Sequence, residues 1–263
     1  MLRVLDVRTG SYAEIRPARA GLLRLCAHVP GTAAQTDITW LRVLLAADVL
    51  TRAAELQKVQ VLTVLAFADE AGAQAAGRAA DALGLHPAAA SGSLGEVHAS
   101  PGGPADVHLD SRDERIGDSQ GGLVARVGTA RLLGAEDRGD AVAAEVLDGP
   151  GSDPLPVRLA LLSVPCHRPA DLAGDMLAGA RETIGHWRRQ VARWAESPSR
   201  PVPAGIMEQV RAACGGLDTV SLLALLRDLV PEGDVPEGAK FETFVYADRV
   251  LGLDLPRDIG RAG

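Results

Sequence analysis

The chain has 263 residues, of which 47% are hydrophobic and 23% are charged, and its formal net charge is −7. This length and composition predict a globular protein with one large domain or two modest ones. The negative charge argues against a protein that coats nucleic acid nonspecifically, because such binding depends on the neutralisation of phosphates.

Membrane and export signals are absent from the sequence pattern. Charged residues interrupt every apolar run before it reaches the ~18 residues that a membrane span requires, and the first ten residues predict a strand and a turn rather than a signal peptide. Cys26, Cys166 and Cys214 are isolated cysteines without a CxxC pair, which favours a reducing compartment. We therefore predict a cytoplasmic protein with no membrane partner.

The first part of the chain predicts alternating strands and helices. Short apolar runs at 2–7 and 22–29 predict strands, and apolar residues at three- and four-residue steps over 38–56 predict an amphipathic helix. The nearly continuous apolar run at 59–67 predicts a strand buried on both faces, and a helix over about 70–83 follows it. This order predicts a parallel sheet with right-handed crossovers.

The middle of the chain predicts a long connection. Residues 100–122 are rich in Gly, Pro, Ser and Asp, with room for one short strand at 106–109, and a further strand is expected over 123–127. Asp153 stands before Pro154, which places a capping carboxylate ahead of a proline at the first helical position. This pair predicts the start of a helix.

The remainder of the chain predicts helices. Apolar residues from Leu172 to Trp194 mark one face of a long helix, in which Trp187 and Trp194 are expected to pack in the core. Two more helices are expected at about 220–230 and 239–251. The predicted fold is α/β, with a Rossmann-like parallel-sheet domain at 1–150 followed by an α-helical bundle domain at 151–263.

Three segments of the sequence resemble cysteinyl-tRNA synthetase, a class I aminoacyl-tRNA synthetase. The first is residues 1–69, which include "LLRLCAHV" and "TDITWLRVLLAADVLTRAAELQKVQVLTVLAFAD". The second is "DPLPVRLALLSVPCHRPADLAGDMLAGARETIGHWRR", and the third is "GAKFETFVYADRVLGLDLP". The resemblance implies the class I nucleotide-binding fold, with ATP and an amino acid bound at the carboxyl ends of the strands.

The resemblance also shows where this chain departs from the family. The family's HIGH signature, whose histidines stabilise charge on the α-phosphate and whose glycine lets adenine lie against backbone, is replaced by Asp37, Ile38, Thr39 and Trp40. Asp37 brings a charge of the same sign as phosphate, Thr39 adds a branched side chain, and Trp40 fills volume. Loss of one preorganised donor commonly costs on the order of 100- to 1000-fold in rate. We predict instead that Asp37 caps the helix start.

The second catalytic signature of the family, KMSKS, is degenerate here. "VGTARLLGAED" occupies its place, where the pair Leu133 and Gly134 fits the pattern and Arg131 stands at the second lysine. The other loop positions, which are polar and bind phosphate in the family, are Gly128, Thr129, Ala130 and Leu132. ATP is therefore not expected as a cofactor.

Zinc is not expected either. The resemblance implies a zinc ion held by two cysteines, a histidine and a glutamate, and only Cys26 matches one of these ligands. The family's insertion, which carries much of the zinc and cysteine pocket, is largely missing between about residues 85 and 122, and His98 and His108 lie in what remains of it. We interpret Cys26 first as a small buried strand residue. His28 lies two residues further on and faces the same side, either toward the old pocket or at a solvated strand end.

The residues of the former active site define a remnant pocket, and no catalytic residue is predicted in it. Its members are Cys26, His28, Asp37, Thr39, Trp40, Arg131 and Gly134. Cys166 and His167 are adjacent in sequence and are not expected to form a nucleophile pair, because neighbours rarely meet in that geometry. Arg181, Arg188, Arg189 and Arg193 suggest either a basic strip on the long helix or, as we favour, a solvated face balanced by acids such as Glu182 and Glu196.

Three functions remain open at this level. The first is a pseudo-synthetase that keeps the fold, has lost cysteine adenylation, and binds a tRNA, a small-molecule ligand or a partner protein. The second is a ligase with a rebuilt site, as in the related mycothiol cysteine ligase, which uses this fold on an acceptor other than tRNA. The third is a structural subunit of a larger complex. The sequence favours the first.

Overall fold

The structure is a computed structural model, and it describes residues 1–31, 37–68, 70–93, 103–111, 121–133 and 153–261, apart from the side chains at 71, 72 and 75. The strands that it contains are β1 (Arg3–Asp6), β2 (Ser11–Glu14), β3 (Leu22–Val29), β4 (Gln60–Phe67), β5 (Ala90–Ser93), β6 (Val107–Asp110), β7 (Leu123–Arg126), β8 (Ala130–Leu132) and β9 (Ala170–Leu172). The helices are α1 (Thr39–Leu56), α2 (Glu70–Leu83), α3 (Leu155–Leu162), α4 (Gly174–Trp194), α5 (Ala204–Gly215), α6 (Thr219–Leu229) and α7 (Glu237–Leu251).

The main sheet has seven strands in the order β2-β1-β7-β6-β3-β4-β5. Strands β3 to β7 are parallel to their neighbours, and the β1–β2 hairpin joins β7 in the antiparallel sense at one edge. The predicted parallel sheet is therefore confirmed, and the chain is an α/β protein with a Rossmann-like sheet and a helical region. β8 and β9 pair in parallel outside this sheet.

Helix α1 is the centre of the core. Fourteen of its residues are buried, since one side contacts β3 and β4 while another contacts α7 and α5. The apolar core accordingly runs without interruption from the sheet into the helical region. The predicted boundary near residue 150 lies outside the described residues and remains a prediction.

The two predicted core tryptophans are confirmed. Trp187 and Trp194 are 2% and 0% exposed, and each packs edge-on against Phe244 of α7 at ring-centroid distances of 5.7 and 5.1 Å. Such edge-to-face contacts add to the free energy of burial, and they join α4 to α7. Apart from these aromatic contacts, the same two helices exchange an ion pair between Arg193 and Glu237.

The structure corrects several element predictions. Strands β5, β8 and β9 and helix α5 were not expected, and Leu172 belongs to β9 rather than to the long helix. Helix α3 begins at Leu155, so Pro154 is the N-cap residue and not, as predicted, the first helical residue. The Asp153 carboxylate accepts the backbone amide of Leu155 at 3.1 Å. Within the described part of the chain, no helix is long and apolar enough to cross a membrane.

Candidate functional site

The start of α1 is closed by contacts with the segment that matches the family's KMSKS loop. The Asp37 carboxylate accepts the backbone amide of Thr39, the first residue of α1, at 2.8 Å. Ile38 is the N-cap residue, so Asp37 provides the predicted contact with a helix amide from one position before the cap. The amide of Ile38 donates to the carbonyl oxygen of Ala130 at 2.9 Å, and the Ala130 amide donates to the Thr39 hydroxyl at 3.0 Å. The amides of Ile38 and Thr39, two backbone groups that could bind an anion at this helix start, thus donate to protein oxygens.

The side chains of Thr39 and Trp40 are packed at the start of α1. Thr39 and Trp40 are 4% and 5% exposed, so both belong to the core instead of lining an open cleft. The backbones of Asp37 and Arg131 also form an isolated antiparallel β-bridge. Arg131 extends away to pair with Asp171 at 3.0 Å, and both side chains are largely exposed. Of the predicted remnant pocket, Asp37, Thr39, Trp40 and Arg131 therefore meet at one place, while Gly134 lies outside the described residues.

Arg42 fixes the same segment from the other side, and the sequence did not single it out. Its guanidinium donates to the carbonyl oxygens of Thr129 and Pro165, each at 2.9 Å, and also to that of Val164 at 3.4 Å. Burial lowers the pKa of Arg42, although the guanidinium remains a cation. Arg42 thus ties α1 to two distant loops.

Gly128 completes this attachment. Its amide donates to the carbonyl oxygen of Cys166 at 2.7 Å, and a Cβ atom at this position would overlap the backbone of Arg168. Next along the chain, strand β8 pairs in parallel with β9. A phosphate-binding loop needs freedom to approach its ligand, whereas the segment 128–132 is integrated into the fold.

Cys26 and His28 lie on one face of β3. The neighbouring strand β6 adds His108, whose Cα is registered with that of Cys26, and Asp110, which is registered with His28. All four residues are 4% exposed. Burial and the nearby Asp110 carboxylate raise the pKa of the Cys26 thiol to about 11. His28 is therefore not at a solvated strand end, and His108 lies in β6, within one residue of the short strand expected at 106–109.

A cavity of about 100 Å³ lies between the β1–β2 hairpin, α1 and the loops after α3 and α5. Its lining is largely apolar, with Arg42, Arg126, Cys166 and His167 among its polar residues. Burial raises the pKa of the Cys166 thiol, and burial together with Arg168 lowers that of His167, so the pair shows no activated thiolate. Of the remnant-pocket residues, the six that the structure describes do not line this cavity.

The arginines of α4 do not form one strip. Arg188 is 7% exposed and points inward, where it donates to the carbonyl oxygens of Leu253 and Asp254 and pairs with Asp153. Arg193 pairs with Glu237 rather than with either predicted acid. Arg188 therefore serves packing, and only its exposed neighbours remain for a surface role.

The fold and the site together define an α/β, Rossmann-like protein in which protein oxygens accept the amides of Ile38 and Thr39 at the start of α1. No protein-family profile matches the chain. Its sequence is 33% identical over 127 residues to the L-cysteine:1D-myo-inositol 2-amino-2-deoxy-alpha-D-glucopyranoside ligase of Geodermatophilus obscurus, a match that covers 46% of this chain and 29% of that ligase. The ligase of the same name from Streptomyces griseus is 32% identical over 126 residues, covering 46% of this chain and 30% of the ligase.

These ligases belong to the cysteinyl-tRNA synthetase family. The similarity supports a protein of the synthetase and ligase kind, in agreement with the resemblance in the sequence. The matched region spans less than a third of each ligase.

Proposed function

We propose that the protein is a cysteine-ligase-like pseudo-synthetase, which keeps the fold, does not activate cysteine with ATP, and acts by binding. The observation that carries this proposal is the direct hydrogen bonding between the start of α1 and Ala130. In a phosphate-binding arrangement, the ligand stands between such a helix start and the opposite loop. Here the two elements contact each other, and Asp37 adds a negative charge.

The energetics of reopening this site support the proposal. A nucleotide would have to displace the capping carboxylate, separate Ile38 and Thr39 from Ala130, and pull the segment 128–130 from the carbonyl contacts of Arg42. Each net hydrogen bond contributes about 0.5–1.5 kcal/mol, and these bonds are buried or partly buried. ATP binding would therefore oppose several interactions that stabilise the native state.

Cysteine-dependent exchange of pyrophosphate into ATP tests the loss of chemistry. We expect the purified chain to show no exchange above a control without enzyme. Exchange that disappears in Asp37→Ala or Arg131→Ala would overturn the proposal, because it would place these residues in a working site. The double variant Asp37→His/Thr39→Gly should remain inactive. The segment 128–132, which matches the family's KMSKS loop, would still be bound to Arg42 and paired through β8 with β9.

Melting experiments test the binding role. ATP, cysteine, a stable cysteinyl-adenylate mimic and total tRNA are each added to the purified chain, and the unfolding temperature is recorded. A ligand at 100 times its Kd stabilises the folded state by about 2.7 kcal/mol. A shift with tRNA or the mimic, together with none for ATP alone, would identify a binding role without activation.

A ligase with a rebuilt site is the second candidate. The identity of 33% with a cysteine ligase over 127 residues favours it. The two candidates differ in one measurement, because any ligase that activates a carboxylate with ATP releases pyrophosphate or phosphate. Release of either product with cysteine and a mixture of amine acceptors would favour the ligase.

A further inference from the structure

Three potential metal ligands meet on the face of the sheet opposite to Leu25 and Ala27. Side chains alternate along a strand, so Cys26 and His28 share a face of β3. His108 stands beside Cys26 on the parallel neighbour β6 and shares that face. The topology therefore assembles Cys26, His28 and His108 from two strands that are separated by about 80 residues of chain.

The donor atoms are close enough for one ion. The Sγ atom of Cys26 and one ring nitrogen from each histidine all lie within 4.8 Å of one another. Nε2 of His28 is 3.0 Å from Nδ1 of His108, and the two ring centroids are 5.3 Å apart. In a tetrahedral zinc site with usual bond lengths, two nitrogens are about 3.3 Å apart and a nitrogen and a sulfur about 3.6 Å. Any separation that exceeds these values, up to the 4.8 Å limit, must shorten by side-chain rotation when an ion binds.

The chemistry of the donors selects the class of ion. Imidazole nitrogen and thiolate sulfur are ligands for Zn²⁺ and related transition metals, whereas Mg²⁺ and Ca²⁺ prefer oxygen. The strands also hold these side chains in place before any ion arrives, because the backbone of β3 is paired on both sides. Rigid placement on strands lowers the cost of ordering a site.

We propose that Cys26, His28 and His108 form a zinc-type transition-metal site, with water or a small exogenous ligand in the fourth position. This site goes beyond the proposed function and does not depend on it. It also differs from the set that the resemblance implies, because His28 and His108 replace the second cysteine, the histidine and the glutamate. We expected no zinc because Cys26 was the one ligand that matched the family. The structure places His28 and His108 beside Cys26, so that reason no longer holds.

Cobalt titration tests the proposal directly. The purified full chain is treated with a chelator, dialysed, and titrated with Co²⁺, whose thiolate charge-transfer band and visible bands report sulfur ligation and four-coordinate geometry. We expect saturation at one Co²⁺ per chain and displacement by Zn²⁺. Cys26→Ser should lose the charge-transfer band, and His28→Ala and His108→Ala should each weaken binding by more than about 100-fold, since even outer-shell changes cost 10- to 100-fold.

Two control variants match the ligands in residue type. Cys214 is also buried, with a thiol pKa likewise raised to about 11 by burial, and His186 lies on the exposed face of α4. Cys214→Ser and His186→Ala should bind Co²⁺ like the unchanged protein. Circular dichroism establishes that each variant is folded, and the conservative Cys26→Ser keeps the test valid if a histidine variant unfolds. Failure of the unchanged chain to bind one Co²⁺, or equal binding by Cys26→Ser and Cys214→Ser, would refute the site.

Discussion

The carboxylate of Asp37 accepts the backbone amide of Thr39 at 2.8 Å, where the family that this sequence resembles presents histidine to phosphate. The positive end of the α1 macrodipole and an unpaired amide thus receive an internal anion. A position that matches a catalytic signature has taken a structural role.

Replacement of Asp37 measures this role. Asp37→Ala should lower the free energy of unfolding by about 1 kcal/mol, because it removes the cap, whereas Asp37→Asn and Asp37→Ser should be nearly neutral. Urea denaturation of the three variants provides the comparison. An Asp37→Ala protein that is more stable and gains phosphate binding would show that the helix start is still an anion site.

Gly128 provides a test of the closed segment. Gly128→Ala should destabilise the chain, because the new Cβ would overlap the carbonyl group of Arg168 and disturb the contact between Gly128 and Cys166. Gly179→Ala is the matched control, since nothing lies within 4 Å of a Cβ there and the position is inside α4. The control should gain up to about 1 kcal/mol from helix propensity. Equal effects on the urea midpoint would contradict a tight contact at Gly128.

Long elements with a clear apolar pattern were predictable from sequence. The spacing of apolar residues in α1 and the continuous run in β4 are local signals, and both elements lie within one or two residues of their expected bounds. Strands β8 and β9 have only three residues each, which is too short to show a period. Their pairing depends on contacts between segments that are about 40 residues apart.

The side-chain clusters were harder to predict for a related reason. His108 lies in a stretch whose composition predicts a connection, and its contact with Cys26 depends on β6 entering the sheet next to β3. Nothing in the local sequence distinguishes Arg42 from an ordinary polar residue of α1. Its burial is caused by carbonyl groups at 129, 164 and 165, about 90 to 120 positions later. Neither the order of strands in a sheet nor a hydrogen bond to a distant carbonyl group can be predicted from the local sequence pattern.

Trp40 provides a fluorescence test for nucleotide binding at the start of α1. Because Trp187 and Trp194 are buried in the core, replacing them would cost about 3–5 kcal/mol each, so both must be kept. The Trp40 signal is instead the difference in fluorescence between the unchanged protein and Trp40→Phe. We expect millimolar ATP to leave this difference unchanged, since Trp40 packs in the core. Saturable quenching that is absent from Trp40→Phe would indicate a surviving nucleotide site.

The buried pair of Asp48 and Arg158 yields a prediction about stability. Arg158 is fully buried, and it donates to Asp48 at 2.5 Å and to the carbonyl oxygen of Leu251, so that it joins α1, α3 and α7. Arg158→Met should cost about 3–5 kcal/mol at neutral pH, because a buried carboxylate loses its main partner. Arg131→Met is the control. The pair of Arg131 with Asp171 is exposed, and its loss should cost at most about 1 kcal/mol.

The pH dependence of this loss distinguishes electrostatics from packing. Burial alone would raise the pKa of Asp48, but Arg158 and Arg52 lower it from 3.8 to about 2. The folded chain therefore binds fewer protons here than the unfolded chain, and the stabilisation, on the order of 2 kcal/mol, is present above pH 4 and lost as the pH falls toward 2. Burial raises the pKa of Asp248, which works in the opposite direction. The test therefore compares the free energy of unfolding of the variants with that of the unchanged protein at each pH, and does not rely on the acid denaturation of the unchanged protein alone.

In Arg158→Met, the pKa of Asp48 should rise, so that protonation relieves the buried charge as the solution is acidified. Urea unfolding at pH 7 and at pH 3.5 should thus show a smaller difference between this variant and the unchanged protein at the lower pH. Asp48→Leu/Arg158→Met should recover part of the loss at neutral pH, because two apolar side chains replace the ion pair. A difference that stays constant with pH, combined with no recovery in the double variant, would mean that Arg158 stabilises the chain through packing and its carbonyl contacts alone.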